Sequence, residues 1–242
     1  MDAYYEVRAS KLAGTTIPFL RPTANGAVNA IIAASRAAGE TTIENVAPEP
    51  EIRNLVAFLH TIGAQVEWRG THSLLVHGVD EGTGFGEIDM IPDRNDAATF
   101  LIAAVLGHGP VTLQDVRADH LAPLLEALTS VGATLEIHKD HGHQSITVEC
   151  AALNPCGLDI TSLPYPGFST DWGPLIQVLM TQLRATSTFH ETIFSQRFAH
   201  ISELVKMGAT IHYIVLLAEG GSLQLSSCPR SRWIPRRSGT GA

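Results

Sequence analysis

The chain has 242 residues, 16 Lys+Arg against 24 Asp+Glu, and a formal net charge of −8. That acidic balance argues against nucleic acid as a partner, because a phosphate backbone is gripped by clustered Lys and Arg. With 45% hydrophobic and 17% charged residues the chain can build a core; its longest apolar run, near Ala97–Gly107, falls short of the roughly 20 residues a bilayer needs, so no membrane partner is expected.

In chain order, an expected strand at Thr15–Leu20 leads through a polar loop into an apolar helix at about Asn29–Ala37. A β-branched strand follows, then an amphipathic helix whose stripe is Ile52, Leu55, Val56, Leu59 and Ile62. Gly63-Ala64 closes that helix, with glycine supplying the left-handed residue that ends a helix without a Cβ penalty. A hairpin, Gln65–Trp68 to Ser73–His77, completes the segment. The glycine-rich stretch Glu81–Gly86 then reads as a hinge.

The same order recurs twice. Glu87–Ile91 is an expected strand, Ala97–Leu106 an apolar helix, and Leu121, Leu124, Leu125, Leu128 and Val131 a second stripe, closed by Gly132-Ala133. A hairpin runs from Thr134–His138 to Ser145–Glu149. Leu158–Ser162, Leu175–Leu183 and a helix closed by Gly208-Ala209 form the third copy. The chain is therefore read as an α/β (α+β) fold of three repeated β-α-β-α-β-β units. The first helices are apolar on most sides, which predicts burial between other elements.

The last segment, SSCPRSRWIPRRSGTGA, lacks an apolar period and reads as a disordered tail despite its arginines. Three cysteines, Cys150, Cys156 and Cys228, form no CxxC pair, so neither a disulfide framework nor a zinc set is expected. The charged opening, MDAYYEVRAS, does not resemble a signal peptide. A soluble cytoplasmic protein without cofactor or metal is expected.

Four places could carry chemistry. In Arg21–Asn29, Thr23 and Asn25 open a helix whose free N–H groups suit an anionic or sugar-phosphate ligand, although a simple N-cap explains them equally. In Pro164–Trp172, two prolines and a glycine stiffen a turn that delivers Ser169-Thr170-Asp171 to a helix start. A cap needs no such rigid approach, so Asp171 is a candidate general base toward a sugar hydroxyl. Arg197, read as opening a helix where a cation opposes the dipole, is a candidate anion holder, with a salt bridge as the alternative. The run His138-Lys-Asp-His-Gly-His143 sits at an expected hairpin tip and reads as a solvated turn, with no metal.

Arg21–Asn29, with Asn45–Ile52, Ile91–Arg94 and above all Pro164–Asp171 and Glu191–Arg197, resembles the UDP-N-acetylglucosamine 1-carboxyvinyltransferases, the enolpyruvyl transferases of peptidoglycan precursor synthesis. The likeness runs from about Leu12 to about Tyr213. It implies an inside-out barrel of two domains, each built of three such units with the active site in the cleft between them. This chain would carry three units of the six: residues 1–85 as the last unit of one domain, 86–216 as the first two of the other, and 217–242 as a divergent tail. The resemblance implies transfer of an enolpyruvyl group from phosphoenolpyruvate to the 3-hydroxyl of UDP-N-acetylglucosamine. Asp171 would serve as base and Arg197 as anion holder, both catalytic. Ile193 would contact the sugar nucleotide, Thr23, Ala24, Asn25 and Gly26 would line its diphosphate side, and Arg94 is a weaker binding candidate.

The family's amino-terminal Lys-Asn pair, its mobile acid-bearing loop and further arginines are absent from this sequence. Together with the acidic charge, this predicts a chain inactive by itself and prone to self-association through apolar surface left uncovered. The alternatives are an enolpyruvylshikimate-phosphate synthase, which shares fold and reaction, and a non-catalytic nucleotide-sugar-binding or interaction module.

Overall fold

A computed structural model of the chain describes residues 8–79, 84–194, 196–216 and 220–226. They fall into two compact units, Met1–Pro92 with Pro164–Pro166, and Asp93–Leu163 with Gly167–Ala242. The fold is mixed α/β.

In the first unit the order is β1 (Thr16–Thr23), α1 (Ala24–Ala34), β2 (Glu40–Val46), α2 (Pro50–Thr61), β3 (Gln65–Trp68) and β4 (Ser73–His77). The four strands make one sheet in the order β1-β2-β4-β3, with β1 parallel to β2 and the other pairs antiparallel. Helix α1 buries Ala27, Ile31 and Ala34, and α2 buries Ile52, Val56 and Leu59. Both sets follow the i, i+4, i+7 spacing that puts a stripe on one helix face. They meet Ile43, Val46, Leu74 and Val76 of the sheet in a single apolar core.

The second unit holds α3 (Arg94–Gly107), β5 (Val111–Leu113), α4 (Ala122–Ser130), β6 (Thr134–Asp140) and β7 (His143–Glu149), followed by β8 (Asp159–Thr161), α5 (Gly173–Met180), β9 (Ser187–Glu191), α6 (Ile201–Lys206), β10 (Thr210–Leu216) and β11 (Gly220–Ser226). Strands β8 to β11 make a sheet in the order β8-β9-β11-β10, strand for strand the arrangement of the first unit. Strands β5 to β7 make a three-stranded sheet, β5-β7-β6, which is the same order without its first strand. Leu101, Ile102 and Val105 of α3, Leu124 and Leu128 of α4, and Ile176, Leu179 and Met180 of α5 share one core with Trp172 and Phe189.

The three Gly-Ala pairs end their helices in one way. Gly63, Gly132 and Gly208 have φ of 88°, 105° and 98°. Each donates its N–H to the carbonyl three residues back, at 3.1, 3.0 and 2.9 Å. The alanine after each donates to the carbonyl five residues back, at 2.9, 3.0 and 3.0 Å. These paired bonds are the Schellman closure, which satisfies two orphan carbonyls and needs a left-handed residue at its pivot.

Several expectations are corrected. Glu87–Ile91 is not a strand: the alternation is there, but it pairs with no described strand, and Phe85 and Met90 beside it are exposed. Helix α1 begins at Ala24, directly after β1, rather than near Asn29, because Thr23 caps it. The tail expected from residue 217 contains β11, which is hydrogen-bonded between β10 and β9; Gly-Gly-Ser-Leu-Gln-Leu-Ser lacks the apolar run by which a buried strand is recognised. The later arginines and Cys228 lie outside the described residues, as do residues 81–83 of the hinge. The first helices are not covered all round: Ile32 of α1, Phe100 of α3 and Val178 of α5 are exposed.

Candidate functional site

The loop that carries Asp171 is stiffened from beneath. Phe168 meets Trp172 edge-on with ring centroids 5.4 Å apart, and meets Phe189 of β9 at 6.3 Å. All three are buried. Trp172 anchors further by donating its indole N–H to Asn95 Oδ1 at 2.9 Å. Gly173 permits the close approach, since a Cβ there would lie 2.9 Å from the Phe189 ring. Between these anchors Thr170–Trp172 forms one turn of 3₁₀ helix, capped by Ser169, whose Oγ accepts the Asp171 N–H at 3.3 Å. The loop before that turn contains a cis Tyr165–Pro166 bond and is closed by the Leu163 N–H donating to Phe168 O.

Asp171 Oδ1 accepts a hydrogen bond from Arg197 Nη1. Arg197 does not open a helix, because α6 begins at Ile201. It stands in the turn after β9, its N–H on Phe194 O at 2.9 Å and its guanidinium 4.5 Å above the Phe194 ring. The pair is a salt bridge. Its side chains remain 50% and 35% exposed, so a ligand can reach both. An ion pair so exposed contributes only about 0–1 kcal/mol to stability, which makes it inexpensive to open.

Sequence reasoning missed the group beneath them. Glu191, at the end of β9, is 1% exposed. Its Oε1 accepts from Ser162 Oγ at 2.7 Å, Ile193 N at 2.7 Å and Phe194 N at 3.0 Å, and its Oε2 accepts from Thr170 Oγ1 at 2.7 Å. Ser162 Oγ in turn accepts the Thr192 N–H at 3.0 Å, and Thr170 Oγ1 accepts from Arg197 Nη1 at 3.4 Å. No signal in the mostly polar strand Ser187–Glu191 marks it, and its side-chain partners stand 29 and 21 residues away.

The remaining candidates are placed as follows. Ile193 is half-buried beside this network. Arg94 is the first residue of α3, itself capped by Asp93 Oδ1 on the N–H groups of Asn95 and Asp96 at 2.7 and 3.3 Å. Arg94 is buried with its guanidinium 5.7 Å from the Trp172 ring centroid, next in sequence to Asp171. Asp171, Arg197, Ile193 and Arg94 thus all belong to the second unit. Thr23, Ala24, Asn25 and Gly26 belong to the first, where Thr23 Oγ1 accepts the Gly26 N–H at 3.3 Å as the N-cap of α1 and Asn25 is exposed. The histidine run is a hairpin tip turning at His141 and Gly142, both with positive φ; His143 pairs with Asp115 at 2.9 Å and His138 with Glu136 at 3.7 Å. Among the described residues no group of three or more His, Cys, Asp or Glu is placed to hold a metal ion, and no helix is long and apolar enough to cross a membrane.

The model of the EPSP synthase (3-phosphoshikimate 1-carboxyvinyltransferase) family matches residues 2–229. The chain belongs to that family. Among curated proteins, a UDP-N-acetylglucosamine 1-carboxyvinyltransferase of Halothermothrix orenii is 39% identical over 206 residues, covering 85% of this chain and 48% of the relative. One from Desulfatibacillum aliphaticivorans is 41% identical over 209 residues, 86% of this chain and 49% of the relative. The chain spans about half the length of the curated relatives it matches. Among solved structures, the enolpyruvyl transferase NikO of Streptomyces tendae superposes with a TM-score of 0.74 at 20% identity, covering 93% of this chain and 54% of that one. An EPSP synthase from Acinetobacter baumannii gives 0.59 at 18%, covering 90% and 50%. These likenesses establish the enolpyruvyl transferase fold.

Proposed function

We propose that this chain contributes to the transfer of an enolpyruvyl group from phosphoenolpyruvate to the 3-hydroxyl of UDP-N-acetylglucosamine, within peptidoglycan precursor synthesis in the cytoplasm. The observation that carries the reading is the meeting of Asp171 and Arg197, 26 residues apart, on one accessible spot above a rigid frame. The names of the relatives at about 40% identity favour the sugar nucleotide over shikimate 3-phosphate as acceptor.

Chemically, the sugar oxygen adds to C2 of phosphoenolpyruvate while its proton passes to a base and an acid delivers a proton to the C3 methylene. Loss of a proton from the new methyl group then expels phosphate. Asp171 is the base for the hydroxyl proton, within reach once Arg197 turns from it. Arg197 exchanges its carboxylate partner for an anionic oxygen of the substrate, a group for which its fork geometry is suited. Ile193 packs on the sugar nucleotide, Thr23 to Gly26 face its diphosphate, and Arg94 adds positive charge from the base of the site. The chain supplies three of six units of the family's inside-out barrel, residues 1–85 from one domain and 86–216 from the other. The acid and the remaining cations come from segments beyond this sequence.

Phosphate release from phosphoenolpyruvate tests this, with the chain alone and mixed with a polypeptide carrying the relatives' remaining half. Release only in the mixture, and only with UDP-N-acetylglucosamine, is expected. Release driven by shikimate 3-phosphate would establish the alternative instead.

A further inference from the structure

Glu191 is a carboxylate buried to 1% exposure whose four hydrogen bonds reach three separate stretches of chain. Ser162 ends the segment after β8, Thr170 precedes Asp171, and the successive N–H groups of Ile193 and Phe194 open the turn that carries Arg197. We propose that Glu191 is the positioning residue of the Asp171–Arg197 site, acting through Thr170. The substrate consequence rests on the function proposed above, whereas the positioning itself does not.

The argument turns on proton direction. A carboxylate only accepts, so the Thr170 hydroxyl must donate to Oε2 and turn its lone pairs elsewhere. Arg197 Nη1 lies on that oxygen at 3.4 Å while also donating to Asp171 Oδ1. The guanidinium therefore sees two acceptors, and Glu191 fixes the orientation of one of them by holding the Thr170 hydrogen. An amide at position 191 reverses this. Its carbonyl must serve the Ile193 and Phe194 N–H groups, which can only donate, so its NH₂ faces Thr170. The hydroxyl then accepts from the amide with one lone pair and its own hydrogen is free to turn, so its second lone pair is no longer held toward Arg197. Arg197 loses its fixed second acceptor and keeps only Asp171 Oδ1, so the guanidinium is held less firmly, with the size and shape of the buried side chain almost unchanged. Thr170 and Asp171 share a turn fixed by Trp172, so Asp171 stays while its partner becomes more mobile.

The test uses the full chain and four proteins: wild type, Glu191→Gln, Thr170→Val and Thr170→Ser. NMR of the Arg197 side-chain Nε–H reports whether the guanidinium is held, and calorimetry with UDP-N-acetylglucosamine reports the consequence. The wild-type signal is expected away from the averaged position of solvated arginines, to shift toward it in the Gln and Val variants, and to return in the Ser variant. Binding should weaken about tenfold or more in the first two and recover in the third. The Val variant removes only the two Thr170 hydroxyl bonds, to Glu191 and from Arg197, and leaves Glu191 three donors, so it covers a failure of Glu191→Gln to fold. A wild-type signal already at the averaged position, or one unmoved in the folded Gln and Val variants, would overturn the proposal. If the signal responds as expected but wild type binds no UDP-N-acetylglucosamine, the positioning stands and the proposed substrate falls.

Discussion

Asp171 and Arg197 face each other because two loops are fixed from below, one by the Phe168–Trp172–Phe189 cluster and the other by the Glu191 carboxylate. Neither loop position depends on the exposed ion pair, so Arg197→Gln should leave the unfolding midpoint nearly unchanged, within about 1 kcal/mol, while weakening substrate binding. A urea titration checks the first and calorimetry the second; a large loss of stability would show that the pair holds the fold. His200 offers a second residue-scale test. Its Nε2 lies 2.7 Å from Oε1 of the buried Gln177, and burial holds its pKa below the ordinary 6.5. The unfolded chain therefore takes up this proton before the folded chain does. Stability contributed by neutral His200 is present above about pH 6.5 and lost as pH falls toward the folded-state pKa. His200→Gln should flatten that decline in urea midpoints measured from about pH 7 to about pH 5; parallel curves for the two proteins would contradict it.

At the scale of elements, the Gly-Ala closures of α2, α4 and α6 show what a local pattern can report. A glycine after an apolar stripe, with alanine behind it, encodes a backbone state at one position, and that state needs nothing distant to be read. Gly208→Ala meets open space, so its cost is the left-handed backbone alone, roughly 1–2 kcal/mol. Gly132→Ala should cost more, because its Cβ would also stand 3.0 Å from Ala152 O and 3.1 Å from Asn154 Oδ1. Urea unfolding of the two variants gives the comparison, and equal losses would mean that the loop at Ala152–Asn154 yields freely. Strands are harder to read, because a strand is made by its partner. Glu87–Ile91 alternates yet pairs with no described strand, whereas polar β11 is drawn into the sheet by β9 and β10. The Asp171 and Arg197 motifs were legible as segments. Glu191 was not, since its function lies in bonds to residues 21 and 29 positions away.

At the scale of the whole molecule, a recurring order of strands and helices was legible from three aligned stretches, because each stretch's hydrophobic period is local, although the middle stretch lacks its expected first strand. How much apolar surface stays uncovered was not. Ile32 of α1, Phe100 of α3 and Val178 of α5 each stand exposed, apolar surface that a second copy of the chain can cover. We predict concentration-dependent self-association, read by light scattering and reduced by Phe100→Glu; a monomer at every concentration would contradict it. The proposed activity depends on something narrower, that these residues still form a sugar-nucleotide site. The direct measurement is calorimetry of UDP-N-acetylglucosamine with the folded chain and with Asp171→Ala. The account predicts binding by the wild-type chain that falls about tenfold or more in the variant. No binding by a folded wild-type chain, or equal binding by both, would contradict it.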